Sequence, residues 1–90
     1  MLYSKNYIAI PPGTTISEQL KHRNMSQKEF AQRMGMSEKH VNNLINGKVE
    51  LSHTVALLLE AVLGVPARFW NNMEAIYREQ EIRIMEELAL

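Results

Sequence analysis

Between Ser37 and Lys48 the sequence gathers side chains that make directional hydrogen bonds: Ser37, Glu38, Lys39, His40, Asn42, Asn43, Asn46 and Lys48. Catalysis finds little to work with here. The chain has no Cys and no Asp, which excludes a thiolate nucleophile, a Ser-His-Asp triad and a paired-Asp site. His22, His40 and His53 have no HExxH or other ligand spacing, so neither a metal site nor a cofactor is expected. No glycine-rich loop follows a strand pattern, which leaves nucleotide binding without support. What the clustered residues do well is bond to base edges. Lys can bond guanine O6 and N7, Asn can bond adenine N6 and N7 in bidentate fashion, and Glu can accept from cytosine N4.

Such residues read bases only from a helix that enters the major groove, and the sequence is punctuated for helices throughout. Tyr7 to Ile10 ends at Pro11-Pro12-Gly13, a breaker that permits at most a short extended arm. A first helix is expected from Thr15, with Glu18 three residues on completing a capping box and Ile16 and Leu20 facing inward. Ser26 and Glu29 repeat that box for a second helix, whose inner residues are Phe30, Ala31 and Met34 and whose end is Gly35. Ser37 caps a third helix with Val41, Leu44 and Ile45 inward, stopping at Asn46-Gly47. Ser52 caps a fourth with Val55, Leu58, Leu59, Val62 and Leu63 inward, closed by Gly64. Pro66 suits the first turn of a fifth, and no breaker follows it. That helix can run about 24 residues, roughly 36 Å. The expected class is all-α: a five-helix DNA-binding domain with a helix-turn-helix and a long C-terminal helix. Its parts are an N-terminal arm (1–14), the helix-turn-helix domain (15–65) and the long helix (66–90).

The helix-turn-helix rests on spacing. Counting Gln27 as one, Ala31 is fifth, Gly35 ninth, Val41 fifteenth and Leu44 eighteenth. A small residue at five lets two helices approach, Gly at nine makes the tight turn, and apolar residues at fifteen and eighteen seat the second helix on the core. An ordinary corner of a helical bundle shares this spacing. With the third helix as the reader, Ser37, Glu38, Lys39, His40, Asn42 and Asn43 are the expected base contacts. Gln27 at one helix start and the Asn46, Gly47 and Lys48 turn are the expected phosphate contacts.

Ninety residues make one domain, and 46% hydrophobic with 22% charged residues is an ordinary globular balance. The net charge of zero is unevenly spread. From Lys21 to Lys48 six basic residues face Glu29 and Glu38, a net of +4, whereas Val49 to Leu90 carries three Arg against seven Glu, a net of −4. A basic middle can present one face to a polyanion while the whole stays neutral. No apolar run approaches the roughly 20 residues of a membrane helix, and no secretory signal is readable, so a cytoplasmic location is expected.

On the fifth helix Phe69, Trp70, Met73, Ile76, Tyr77, Ile84 and Leu88 fall within a band of about 120°. Its far half has nothing evident in its own chain to pack on. A homodimer is therefore expected, with Phe69, Trp70, Met73, Tyr77 and Ile84 at the interface.

The stretch Met25-Ser26-Gln27-Lys28-Glu29-Phe30-Ala31-Gln32-Arg33-Met34-Gly35, followed by Ser37 and by Leu44-Ile45-Asn46-Gly47-Lys48, resembles the Xre (Cro/cI repressor-like) helix-turn-helix family. Pro12-Gly13 and the run from Ser52 through Leu63-Gly64-Val65-Pro66-Ala67 to Phe69-Trp70-Asn71 narrow the likeness to its HigA-type antitoxin branch. The resemblance spans roughly residues 11 to 79. It implies a homodimer that binds a double-stranded DNA operator, represses its own operon and neutralises a cognate mRNA-cleaving toxin. Carried over by position, Gln27, Ser37, Glu38, Lys39, His40, Asn43 and Lys48 face DNA, and the acidic Glu38 departs from the basic or amide residues common there. Two other readings are the DNA-binding module of a longer, for example peptidase-bearing, regulator and a helical protein-binding adaptor.

Overall fold

A computed structural model of the chain describes residues 2–89. Its elements are β1 (Leu2–Tyr3), β2 (Ile8–Ala9), α1 (Pro12–His22), α2 (Gln27–Met34), α3 (Glu38–Ile45), α4 (His53–Leu63) and α5 (Ala67–Ala89). Three serines open three of the helices in the same way. Ser26 Oγ accepts the Glu29 N–H at 3.1 Å, Ser37 Oγ accepts the His40 N–H at 3.0 Å, and Ser52 Oγ accepts the Val55 N–H at 3.2 Å. Each bond satisfies one of the backbone donors that a helix start leaves without an internal partner. The carboxylate of Glu29 does not complete a box; it bonds Arg33 at 2.8 Å, one turn on. The main core joins Ile16, Leu20, Phe30, Ala31, Met34, Val41, Leu44, Val55, Leu59 and Leu63 to Trp70 at the start of α5.

α1 begins three residues earlier than its sequence pattern suggests. Pro12 and Gly13 lie inside its first turn, Pro11 precedes it with no side-chain cap, and no Thr15–Glu18 box forms. Proline in the first turn gives up no hydrogen bond and is already set at a helical φ, so the apparent breaker is a helix start. Gly13 is tolerated there because α1 and α3 cross at this point: a Cβ on Gly13 would stand 1.7 Å from the Ile45 carbonyl oxygen.

The chain before α1 forms an antiparallel hairpin, with Leu2 paired to Ala9 and Tyr3 to Ile8. It lies on the far half of α5, where Ala9 and Tyr7 pack with Tyr77 and Ile84. This corrects the expectation of an uncovered stripe. Trp70, Tyr77 and Ile84 are spaced seven apart and are all buried within their own chain, so they do not lie open to a second subunit. Phe69 is partly exposed and Met73 half-buried.

The hairpin is tied down at its turn. Glu87 accepts the Asn6 backbone N–H at 3.3 Å and the Asn6 side-chain amide at 3.1 Å, and Arg83 stands 5.7 Å from the centre of the Tyr7 ring. The neighbouring Ser4 hydroxyl and the Asn6 groups hold the Glu87 carboxyl below its ordinary range. A carboxylate whose pKa is lowered by folding favours the docked state above its unfolded pKa and loses that contribution as pH falls through its folded value. The hairpin is therefore expected to loosen in acid, as pH falls below the ordinary glutamate range. Glu87→Gln should loosen it at neutral pH, seen as a shift of the Asn6 amide resonance with α1 to α4 unchanged. An Asn6 resonance indifferent to both would mean that Glu87 does not hold the turn.

Candidate nucleic-acid interface

α2 and α3 meet around one glycine. Gly35 has φ 69°, and the amide of Met36 returns to the Ala31 carbonyl at 2.9 Å, so the chain reverses in a left-handed step that favours glycine. Ala31 is buried at the crossing, and Val41 and Leu44 seat α3 on the core. With those two inward, Lys39, Asn42, Asn43 and Asn46 form one stripe on the opposite side of α3, with Glu38 and His40 on its flanks. Glu38, Lys39, His40 and Asn42 are exposed and Asn43 is half-buried.

Ser37 is engaged as the cap of α3. Asn46 is partly engaged too: its side-chain amide donates to the Asn42 carbonyl at 2.9 Å and to Asn42 Oδ1 at 3.1 Å. The pair fixes two amide groups along the outward stripe. Glu38 stands in the first turn of α3, where a negative charge complements the helix dipole. Gln27 is exposed as the first residue of α2, and Lys48 is exposed beyond the end of α3.

The six basic residues of the middle segment divide by what they touch. Arg33 pairs with Glu29, and the Arg23 guanidinium donates to the Leu63 carbonyl at the end of α4. These two serve the fold. Lys21, Lys28, Lys39 and Lys48 are exposed and take part in no ion pair among the described residues. Lys21 and Asn46 border an open cleft of about 350 Å³ between the start of α1 and the end of α3.

Sequence spacing gave no hint of how α5 supports the turn after α3. Glu74 and Arg78 are bonded at 2.8 Å; Arg78 donates to the Val49 carbonyl at 3.0 Å, and Glu74 accepts the Leu51 N–H at 3.1 Å. The Tyr77 hydroxyl lies against Gly47, whose φ is 71°. Burial, with help from the Glu81 carboxylate, pushes that hydroxyl's pKa up, so it stays neutral. The only available signal was Glu74–Arg78 at i, i+4, which reads equally as a solvated surface pair.

A helix-turn-helix with a capped, polar, outward-facing second helix is the architecture of a DNA-binding domain. Residues 16–70 match the helix-turn-helix family model, and the chain belongs to that family. The likeness within it runs toward regulators and HigA antitoxins. The chain is 33% identical over 63 residues to the HTH-type transcriptional regulator YddM of Escherichia coli, covering 70% of this chain and 67% of that protein. It is 40% identical over 57 residues to the antitoxin HigA-1 of Vibrio cholerae, covering 63% of this chain and 53% of that one. It thus spans about two thirds of the first relative and about half of the second. Among solved structures, the antitoxin HigA of Pseudomonas aeruginosa with the higBA promoter aligns with a TM-score of 0.74 at 25% identity, covering 79% of this chain and 78% of that one. No helix among the described residues is long and apolar enough to cross a membrane.

Proposed function

We propose that the chain is a cytoplasmic, sequence-specific DNA-binding repressor of the HigA antitoxin type, without catalytic activity. It binds its own operator as a homodimer and neutralises a cognate toxin. The observation that carries this reading is the stripe of Lys39, Asn42 and Asn43 on the exposed side of a capped α3, because those side chains match the bonding edges of purines. The likeness to an antitoxin solved with its promoter supports the same reading. A two-fold dimer would place two such helices about one DNA turn apart, roughly 34 Å, and would bind a palindromic site. Phe69 and Met73 remain reachable for that contact; Trp70, Tyr77 and Ile84 serve the fold of each subunit.

Gel shift against the DNA upstream of its own reading frame, with random DNA as control, tests the proposal. Asn43→Ala is expected to cost about 1 to 3 kcal/mol on the upstream site alone. Lys48→Ala and Gln27→Ala should weaken binding to both DNAs, and Lys48→Ala should lower the salt slope by about one. Equal loss on both DNAs for Asn43→Ala would remove α3 as the reader. Co-purification with the product of an adjacent small reading frame tests the toxin partner.

A further inference from the structure

We infer that Arg78 is a positioning residue for the phosphate-binding turn, acting with Glu74 and Tyr77 from outside the helix-turn-helix to aim Lys48 outward. The inference rests on the DNA-binding reading above. The three residues lie on α5, beyond the 16–70 segment that matches the family model. After α3 the chain runs through Gly47, Lys48, Val49, Glu50 and Leu51 before Ser52 caps α4. Alternate residues of this segment are held from α5. Gly47 lies under the Tyr77 hydroxyl, the Val49 carbonyl accepts from Arg78, and the Leu51 amide donates to Glu74.

The chain turns at Gly47 and bends at Lys48 and Val49, and with its backbone held at 47, 49 and 51 the side chains of Lys48 and Glu50 are left on the solvent side. Gly47 and Val49 are half-buried and Leu51 is buried, whereas Lys48 and Glu50 are exposed. Two further contacts stiffen the support. The Lys48 amide donates to the Asn43 carbonyl at 2.9 Å, which fixes the turn to α3, and the Arg78 guanidinium stacks 4.9 Å from the centre of the Tyr77 ring. The side chains of Arg78 and Glu74 are only 26% and 13% exposed, so their pair is better shielded from solvent than the surface pairs on α2 and at Arg83. Arg78 also bonds Glu81 at 3.3 Å, which leaves its guanidinium committed to the protein and not to DNA.

A double-mutant cycle on the full chain tests this, using upstream DNA at several salt concentrations with Lys48→Ala, Arg78→Met and the double variant. Each single change is expected to weaken binding roughly three- to tenfold and to lower the salt slope by about one. The double variant should be no more than about twofold weaker than Arg78→Met alone, because Lys48 has already lost its aim. Arg78→Lys, which keeps the charge and one bond, should recover part of the affinity. It also gives the same cycle in a folded background if Arg78→Met does not fold. Losses that multiply in the double variant would overturn the inference, as would an Arg78→Met protein that melts lower yet keeps the wild-type salt slope. Wild-type protein that binds no DNA would overturn the DNA-binding reading itself, an outcome distinct from multiplying losses in a protein that binds.

Discussion

Replacing Gly13 with alanine is expected to destabilise the domain by at least about 3 kcal/mol, although alanine is the better helix former by about 1 kcal/mol. The added Cβ would stand 1.7 Å from the Ile45 carbonyl oxygen, 2.3 Å from its carbon and 2.4 Å from the Ile45 Cα. All three are backbone atoms, so no side chain can swing away. Ordinary carbon contacts lie near 3.5 Å, and α1 and α3 would have to part by well over an ångström. A domain of this size loses about 4 to 8 °C of melting temperature per kcal/mol, so a fall of at least about 12 °C is expected. DNA affinity should fall with it, because Ile45 leads directly into the Asn46-Gly47-Lys48 turn. Gly35→Ala is the control. Its Cβ would meet nothing within 4 Å but would sit at φ 69°, so it should cost only about 1 to 2 kcal/mol. If Gly13→Ala melts within a few degrees of wild type, the two helices do not cross as closely as the structure places them.

Gly13 also marks where sequence reading reaches its end. The helix-turn-helix was legible because its signals are local: serine caps within three residues of their target, a glycine at the turn, and apolar residues at helical spacing. α2, α3 and α4 accordingly start where Ser26, Ser37 and Ser52 place them. Pro11-Pro12-Gly13 read as a breaker because the reason for its glycine, the Ile45 backbone, lies more than thirty residues away along the chain. The hairpin was hidden for a similar reason. Its two-residue strands are too short to show alternation, and what stabilises them is burial against Tyr77 and Ile84 on α5. The periodic stripe on α5 was visible, but periodicity says only that a face is covered. Whether an arm of the same chain or a second subunit covers it is a tertiary matter. The outward residues of α3 were legible as a set, since two inward residues on a short helix decide which others face away. The supports of the turn after α3 were not, because Glu74 and Arg78 act on backbone groups of another element.

The place of Trp70 separates the two ways of covering that stripe. Its side chain is 0% exposed, and its indole N–H donates to the Val65 carbonyl at 3.1 Å. Its neighbour Phe69 meets it edge to face at 5.2 Å and is 42% exposed. Trp70→Ala is therefore expected to cost about 3 to 5 kcal/mol, the range for emptying a large aromatic site in a core. A core residue acts within one chain, so this loss should be the same at about 1 µM and about 100 µM protein. Any dependence of stability on concentration in the wild type should persist in the variant. Phe69→Ala should cost less than about 1.5 kcal/mol in the isolated chain, since much of its ring already meets water. If Phe69 belongs to the dimer contact, its removal should instead weaken self-association measured by sedimentation. Denaturant titrations at the two concentrations decide the matter. Were the cost of Trp70→Ala to vanish at low concentration, where subunits separate, Trp70 would belong to the interface between copies and not to the core of each one.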